Sequence, residues 1–366
     1  MKYWTPERIK KENARYNVIF GERSNGKTTG VLLEGYKRFL QDGSQTAIIR
    51  RYDEDFVGAN SAKTVYNSLM QDGNGENQIM TLSKGRYVGV QYYAGKYFLT
   101  EWDDKHDCER RTEDVLSYGF SLTGQEHYKS ASFPKVKTIL LDEFMTRKYY
   151  LPDEFVLFQN LLSTIIRTRD DVTIYMCANT VNKYECPYFD EMGLDRVKQM
   201  EKGQIDVYKY GESGLKVAVE YADGIAKKKP SDVYFAFNNP RLKMITNGSW
   251  EMDIYPHCPV KYAPKDILFT YFIKYKDQLL QCEIVNKDEL TFTFIHRKTT
   301  DLKDEDTDII YTTDFDVRPN YKRRITAPQS KLEQRIASYF KEERVYYQDN
   351  EVGEIIRNYL QWCKTA

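Results

Sequence analysis

Residues 21–28 read GERSNGKT and match the phosphate-binding pattern G-x-x-x-x-G-K-[ST] at every fixed position. In this pattern, backbone N–H groups of a glycine-containing loop and of the following helix face the phosphates of a nucleotide. We expect Lys27 to contact the β- and γ-phosphates and the Thr28 hydroxyl to bind Mg²⁺. The predicted nucleotide-binding residues are Gly21, Glu22, Arg23, Ser24, Asn25, Gly26, Lys27, Thr28 and Thr29. Residues 21–28, called the P-loop below, therefore predict a P-loop nucleoside triphosphatase.

A pair of carboxylates follows a second strand-like run. The residues TILL at 138–141 lead directly into Asp142 and Glu143. We expect Asp142 to bind Mg²⁺ through its water shell and Glu143 to polarise the attacking water as a general base. The alternative is an acidic strand end that faces solvent, and the presence of the P-loop favours the catalytic interpretation.

The residues around this pair favour ATP over GTP. The guanine-nucleotide pattern D-x-x-G is not met at Asp142, which Glu143 and Phe144 follow directly. Residues 182–185 read NKYE and imitate the guanine-reading pattern N-K-x-D, but they end in Glu. Small-molecule kinases usually lack a Glu beside the metal-binding Asp, so we expect motor-type ATP hydrolysis.

Three further polar residues stand at the ends of predicted elements. Asn179 follows the apolar run 172–178, where it either contacts the γ-phosphate or caps the strand end. Arg167 and Arg169 end a predicted helix just before that run. Cations at a helix C-terminus commonly interact with the helix dipole. The alternative is an arginine finger that acts on the ATP of a neighbouring subunit.

The order of the elements predicts how these residues are positioned. Apolar runs predict strands at 18–20, 46–50, 115–122, 136–141 and 172–178, and helical spacing predicts helices at 28–40, 61–71 and 152–167. Two period-2 runs, 87–93 and 96–102, predict a hairpin. Strands that alternate with helices indicate a parallel sheet covered by helices, with polar side chains where the strands end.

The pattern changes after about residue 200. Strands are predicted at 215–221, 267–275, 279–285 and 290–296, the last three as an antiparallel meander, and helices at 331–343 and 352–362. We therefore predict an ATPase domain over 1–204, a connector over 205–262 and an α+β domain over 263–366.

Composition excludes several classes of protein. The 54 Lys and Arg balance 54 Asp and Glu, which argues against a histone-like nucleic-acid coat but not against a local basic patch. The apolar runs are too short to cross a membrane, and the basic, polar start is unlike a secretory signal. The six cysteines are scattered without a C-x-x-C pair, so we expect reduced thiols and no structural metal cluster.

Taken together, the motifs resemble a known family. The P-loop, the string IRRY at 49–52, the segment KSASFP at 129–134, the string TILLDEF at 138–144 and IRTR at 166–169 occur in this order. They resemble the DNA-encapsidation ATPases of small tailed podoviruses with protein-primed linear genomes, such as those infecting Bacillus. The resemblance covers about residues 15–190, and beyond residue 200 only the plan is similar.

The resemblance implies a homomeric ring, expected to be a pentamer, at the portal of a procapsid in the host cytoplasm. The ring would drive double-stranded viral DNA inward by ATP hydrolysis, in related motors with a structural RNA. It implies an additional-strand, catalytic-glutamate ATPase with a RecA/FtsK-like parallel sheet. The small α+β domain would resemble an RNase H-type fold that has lost its acidic site, since residues 267–275 contain no carboxylate.

The resemblance also assigns roles to basic residues. Arg167 falls at the position of the trans-acting finger, and Lys129 at that of a basic residue implicated between subunits. The family's basic residue after RRY is replaced by Asp53 in this chain, a departure that puts any DNA- or nucleotide-contacting role at that position in doubt.

Two basic clusters are candidates for contact with DNA. The densest basic clusters outside the ATPase site are Lys227, Lys228 and Lys229, and Arg318 with Lys322, Arg323 and Arg324. Each cluster either grips phosphates or is solvated loop charge. Two other functions stay open at this point: another additional-strand P-loop DNA pump or helicase, and an assembly protein that uses ATP as a switch.

Overall fold

The computed structural model describes residues 3–365 except 24, 57–59, 72–74, 129–130, 147–149, 180–185, 212–213, 224–254, 277 and 303. The chain divides into two compact units, Met1–Glu251 and Met252–Ala366. Within the described residues, no helix has both the length and the apolar character that a membrane crossing requires.

The first unit is built around one sheet. Its strands are β1 (Tyr16–Gly21), β2 (Gln45–Arg50), β3 (Gly89–Tyr93), β4 (Lys96–Asp103), β5 (Cys108–Ser121), β6 (Val136–Asp142), β7 (Thr173–Asn179), β8 (Ile205–Tyr210) and β9 (Leu215–Ala222). Its helices are α1 (Glu7–Lys10), α2 (Lys27–Asp42), α3 (Asn60–Thr64), α4 (Asn67–Met70), α5 (Gln78–Leu82), α6 (Glu154–Ile166) and α7 (Pro187–Glu191).

The strand order of this first sheet is β3-β4-β5-β2-β6-β7-β1-β9-β8. The pairs from β5 to β9 are parallel, and antiparallel hairpins form both edges. Strand β7 lies between β1, which leads into the P-loop, and β6, which ends in the acidic pair. This inserted strand is the additional strand that the resemblance implied, and the predicted parallel α/β class is confirmed.

Both faces of the sheet are covered. Alternate residues of β1 belong to different cores: Val18 and Phe20 pack with residues of α6 and α7, whereas Ile19 packs with residues of α2. All three side chains are fully buried. Because successive side chains of a strand point to opposite faces, near-continuous apolar runs are expected in such a doubly covered sheet.

Two predictions about this unit need correction. Strand β9 pairs in parallel with β1, and β8 pairs with β9, so residues 205–210 and 215–222 belong to the first sheet and not to a connector. Much of the remaining predicted connector, 224–254, lies outside the described residues. The helix predicted over 61–71 is divided into α3 and α4, because the chain turns at Tyr66 and places that ring in the core, where its hydroxyl donates to Ser117 Oγ at 3.0 Å.

The second unit contains a smaller sheet and two long helices. Its elements are β10 (Ile267–Tyr275), β11 (Gln278–Lys287), β12 (Leu290–Arg297), β13 (Ile310–Thr312), β14 (Tyr321–Lys322), α8 (Lys331–Lys341), β15 (Val345–Tyr347) and α9 (Asn350–Thr365). The strand order is β14-β13-β10-β11-β12-β15. The predicted antiparallel meander β10–β12 is present, and β13 and β14 continue in parallel from the side of β10. This order matches the RNase H-type arrangement implied by the resemblance, with β15 added beside β12.

Candidate nucleotide-binding site

The P-loop connects β1 to α2 through two glycines that no larger residue could replace without a shift. Gly26 has a φ of 90°, in the left-handed region, and an added Cβ would lie 3.0 Å from the Cβ of Tyr3. A Cβ on Gly21 would lie 2.7 Å from the backbone oxygen of Ala222 on the neighbouring strand β9. The loop therefore depends on glycine for its turn and for its close approach to the sheet.

Lys27, the first residue of α2, points into the loop and is only 5% exposed. Its Nζ donates to the backbone carbonyls of Gly21 at 3.2 Å and Glu22 at 2.7 Å. It also donates to the amide oxygens of Asn25 at 3.0 Å and Asn179 at 3.5 Å. The ammonium group thus lies at the centre of the loop, and the end of β7 is in contact with it.

Thr28 and Asp142 meet across the site. The Thr28 hydroxyl donates to Oδ1 of Asp142 at 2.8 Å, and the Asp142 side chain is 6% exposed. Hydroxyl and carboxylate oxygens are the hard ligands that Mg²⁺ prefers, and the ion commonly keeps several waters. Their contact, beside a loop shaped by glycines, fits a Mg²⁺-nucleotide, with Thr28 and Asp142 as the residues that would hold the metal.

The same carboxylate is paired with an arginine that motif reasoning missed. Nη2 of Arg50, the last residue of β2, lies 3.0 Å from Oδ2 of Asp142. Burial lowers the pKa of the Arg50 guanidinium, but the charge of Asp142, the hydrogen bond to it and the nearby charges of Glu143 and Asp55 together raise the pKa overall. The sequence contained a usable signal, since two adjacent strands that end in opposite charges place those charges at one edge of a parallel sheet.

Glu143 begins the loop after β6 with a φ of 59°, a left-handed conformation that is unfavourable for a residue with a Cβ. Its side chain is exposed. The backbone is fixed on both sides: Arg51 Nη1 donates to the Glu143 carbonyl at 3.3 Å, and Phe144 N donates to Cys177 O at 3.4 Å. The carboxylate is therefore presented to solvent from a constrained backbone.

Arg51 joins the acidic loop to the start of α6. Its Nε and Nη2 lie 2.7 and 2.8 Å from the two carboxylate oxygens of Glu154, the first residue of α6, and Nη2 also donates to Phe144 O at 3.0 Å. Glu154 accepts further bonds from the Tyr188 hydroxyl at 2.9 Å and from Leu151 N at 2.8 Å. We call the buried pair of Arg51 and Glu154 the bracket, because it holds two segments in fixed positions.

The Arg169 side chain is hydrogen-bonded within its own chain. Its guanidinium donates to the carbonyls of Phe133 at 3.2 Å, Pro134 at 3.2 Å, Val136 at 2.6 Å and Ile165 at 2.9 Å. These bonds attach the end of α6 to the segment that enters β6. Arg169 therefore acts as an internal tie, which argues against its being the arginine finger.

Arg167 differs from Arg169 in its surroundings. It is exposed, has a φ of 56°, and its Nη2 donates to Ala131 O at 2.8 Å. The helix α6 starts after the carboxyl end of β6 and finishes before the amino end of β7. Arg167 therefore lies at the edge of the sheet opposite to the P-loop of its own chain.

The remaining predicted residues are placed as follows. Glu22 pairs with Lys202 at 2.9 Å, and the Thr29 hydroxyl donates to Ser68 at 3.0 Å. Arg23 lies in the loop between Glu22 and the residues that lead into α2. Ser24, Lys129, Lys227, Lys228, Lys229 and the NKYE segment at 182–185 lie outside the described residues.

The basic cluster of the second unit is partly occupied by carboxylates. Arg318 contacts Asp316 at 2.8 Å and Glu305 at 3.3 Å, and Lys322 contacts Glu333 at 3.5 Å. Arg323 and Arg324 are exposed, with the Arg323 guanidinium 5.2 Å from the ring centroid of Trp362. Of this cluster, Arg323 and Arg324 present the most accessible positive charge.

Comparisons with known proteins agree with the motifs. Residues 111–234 match the family model described as Podovirus DNA encapsidation protein (Gp16). The DNA packaging protein of Bacillus phage B103 is 24% identical over 264 residues, 71% of each chain. That of Bacillus phage phi29 is 25% identical over 190 residues, 51% of this chain and 49% of the other.

Two solved structures share the fold. A chain of the bacteriophage Phi-29 viral genome packaging motor assembly matches with a TM-score of 0.58 at 17% identity, over 98% of both chains. A chain of the Phi-28 gp11 DNA packaging motor matches with a TM-score of 0.50 at 18% identity, over 99% of this chain and 96% of that one. The resemblance to the podovirus DNA encapsidation proteins, which the motifs indicated, is thereby confirmed.

Proposed function

We propose that this chain is the ATPase of a phage genome-packaging motor, which moves double-stranded DNA into a procapsid. The observation that supports this most strongly is the 2.8 Å bond between Thr28 and Asp142. It brings the P-loop and the acidic strand end to one point, although 114 positions separate the two residues. The similarity to DNA packaging proteins supplies the choice of DNA as the substrate that is moved.

The residues of the site divide the work of hydrolysis. Lys27 and the backbone N–H groups at the start of α2 bind the phosphates, and Lys27 balances their charge. A Mg²⁺ ion held by Thr28 and Asp142 would neutralise charge that develops on the transferred phosphoryl group. Glu143 accepts a proton from the attacking water, and the Arg51 contact keeps the backbone of Glu143 oriented.

Arg167 completes the site of a neighbouring subunit. The 13-residue helix α6 separates it from the loop that follows β6. At 1.5 Å per residue this is about 20 Å, too far for the side chain to reach its own P-loop. An exposed guanidinium at that edge suits insertion into an adjacent copy, which requires a closed ring, and we take that ring to be a pentamer.

The ring would bind the portal of the procapsid, with double-stranded viral DNA as cargo and a structural packaging RNA as a further partner. Its place in the cell would be the portal vertex, in the host cytoplasm. The similarity to chains of packaging-motor assemblies supports this placement. Contacts with phosphates are proposed for Lys227, Lys228, Lys229, Arg323 and Arg324.

The test is steady-state ATP hydrolysis with and without linear double-stranded DNA. We expect DNA to stimulate the unchanged protein, Glu143→Gln to lower turnover about 10²–10⁴-fold, and Arg167→Ala to lower it about 10³–10⁵-fold. Mixing the two variants would restore part of the activity, because an intact Glu143 site can then meet an intact Arg167. Arg196→Ala, which removes an exposed arginine paired with Asp206, is the matched control.

A nuclease-protection assay with procapsids distinguishes DNA packaging from other ATP-dependent functions. It measures how much DNA becomes resistant to nuclease because it has entered a procapsid. ATP-dependent protection supports the motor. DNA-stimulated hydrolysis without any protection would favour a general DNA pump or helicase. Slow turnover that ignores both DNA and Arg167 would favour an ATP-dependent switch.

A further inference from the structure

Arg50 is a largely buried cation that the mechanism above does not use. Its side chain is 17% exposed, and Nη2 contacts Oδ2 of Asp142. Within the described part of the chain, its Nε is buried and has no hydrogen-bond partner. A buried donor without a partner is costly, so a second arrangement that satisfies it would be favoured.

Both oxygens of Asp142 are engaged in this arrangement. Oδ1 accepts from Thr28 and Oδ2 from Arg50. A Mg²⁺ ion held through the same carboxylate would compete with these contacts, and its two positive charges would repel the guanidinium nearby. A nucleotide held by Lys27 and the P-loop would offer a new anionic partner, because its terminal phosphate would lie beside the Thr28 and Asp142 side chains that would hold the metal.

We propose that Arg50 is a nucleotide-sensing residue that exchanges Asp142 for the terminal phosphate of the nucleotide when a Mg²⁺-triphosphate binds. Arg50 is placed for this because one carboxylate, that of Asp142, bonds both to its guanidinium and to the Thr28 hydroxyl. Its neighbour Arg51 cannot substitute, because the bracket with Glu154 holds it. The proposal rests on the proposed function and adds that this chain distinguishes triphosphate from diphosphate through a residue of its own.

The test is equilibrium binding of a fluorescent, non-hydrolysable ATP analogue and of fluorescent ADP, each titrated over a range of Mg²⁺ concentrations. In Arg50→Gln we expect the preference for the triphosphate to fall by about tenfold, the value of one charge-assisted hydrogen bond. We also expect less Mg²⁺ to be needed for binding, because the metal no longer displaces a cation from Asp142. Arg50→Lys keeps the charge and should retain part of the preference, and Arg196→Gln is the control.

The measurements distinguish failure of the Arg50 proposal from failure of the proposed function. If Arg50→Gln unfolds at a lower temperature but keeps the triphosphate preference and the Mg²⁺ dependence of the unchanged protein, Arg50 is structural only and this inference is wrong. If Arg50→Gln does not fold, the same comparison is decided by Arg50→Lys. If the unchanged protein binds neither nucleotide, the proposed function itself fails.

Discussion

The two sheets of this protein differ in what stands at the ends of their strands. In the first sheet, Arg50, Asp142 and Asn179 end neighbouring strands, and their side chains contact one another or the P-loop. In the second sheet, β10 reads ILFTYFIKY and has no carboxylate to offer. The comparison teaches that a sheet provides a scaffold, whereas a few charged residues at strand ends decide whether it performs chemistry.

Disrupting the bracket should have the largest effect on stability. It should lower the free energy of unfolding of the first unit more than the substitutions proposed below lower that of the second unit. Arg51→Met leaves Glu154 buried without its charge partner, which costs about 3–5 kcal/mol of unfolding free energy. It also releases the Glu143 carbonyl, so turnover should fall together with stability. Urea unfolding and ATP hydrolysis measure the two effects, with Arg196→Met, which removes an exposed arginine, as the control whose stability should change little.

If Arg51→Met proved as stable and as active as the control, the bonds of Arg51 to Glu154 and to the Glu143 carbonyl would contribute little to either property. The variant Arg51→Lys sharpens the result. It keeps one positive charge but loses the paired geometry, so an intermediate effect is expected.

A smaller effect concerns a charged pair within the second sheet. His296 Nε2 lies 3.4 Å from Oε1 of Glu283, and the Glu283 carboxylate also accepts hydrogen bonds from Gln281 and Tyr262. The bond to Glu283 raises the pKa of His296 despite burial. Burial raises the pKa of Glu283, but its hydrogen bonds outweigh burial and lower it overall.

The sign of the pH dependence follows from these directions. The stability that protonated His296 adds to the fold is fully present below its ordinary pKa of 6.5, and it is lost as pH rises through the higher pKa of the folded state. The stability that ionised Glu283 adds is fully present above its ordinary pKa of 4.5, and it is lost as pH falls through the lower pKa of the folded state. His296→Gln should therefore weaken hydrogen-exchange protection of β11 and β12 most at pH values between these limits. Equal weakening at all pH values would contradict this, and His106→Gln is the control.

A change at the exposed cations of the second unit should be modest. The double variant Arg323→Ala, Arg324→Ala should lower the slope of log K against log salt for DNA binding by up to about 2, since each phosphate that is no longer neutralised removes about 0.9. The matched variant Lys227→Ala, Lys228→Ala, Lys229→Ala tests the other cluster in the same way. A cluster whose removal leaves the slope unchanged does not contact DNA phosphates.

The second sheet should have no nuclease activity at all. Because β10 contains no carboxylate, we expect no cleavage of DNA in Mn²⁺ or Mg²⁺ under the conditions of the proposed ATP hydrolysis assay. Gel analysis of supercoiled and linear DNA checks this. Reproducible cleavage that disappears in Asp314→Asn, which removes the carboxylate just beyond β13, would overturn the comparison between the two sheets.

Local features of the fold could be predicted from the sequence. The P-loop, the acidic pair and the meander each depend on a short stretch, and β10 has the predicted bounds, 267–275. The contacts of Arg50 and Arg51 were not predicted, because they depend on the register between β2 and β6, which are distant in sequence. Strands β8 and β9 were assigned to a connector because an edge hairpin of mixed polarity resembles an exposed segment until its partner β1 is known.

Helix α6 links two events that belong to different subunits in the proposed ring. Its first residue, Glu154, is bound to the arginine that holds the loop of Glu143, and Arg167 directly follows its last residue. A continuous helix transmits a displacement at one end to the other with little loss. Movement of the loop that carries Glu143 in one subunit would thus move Arg167 toward or away from the site of the next subunit. This would allow the subunits to hydrolyse ATP one after another.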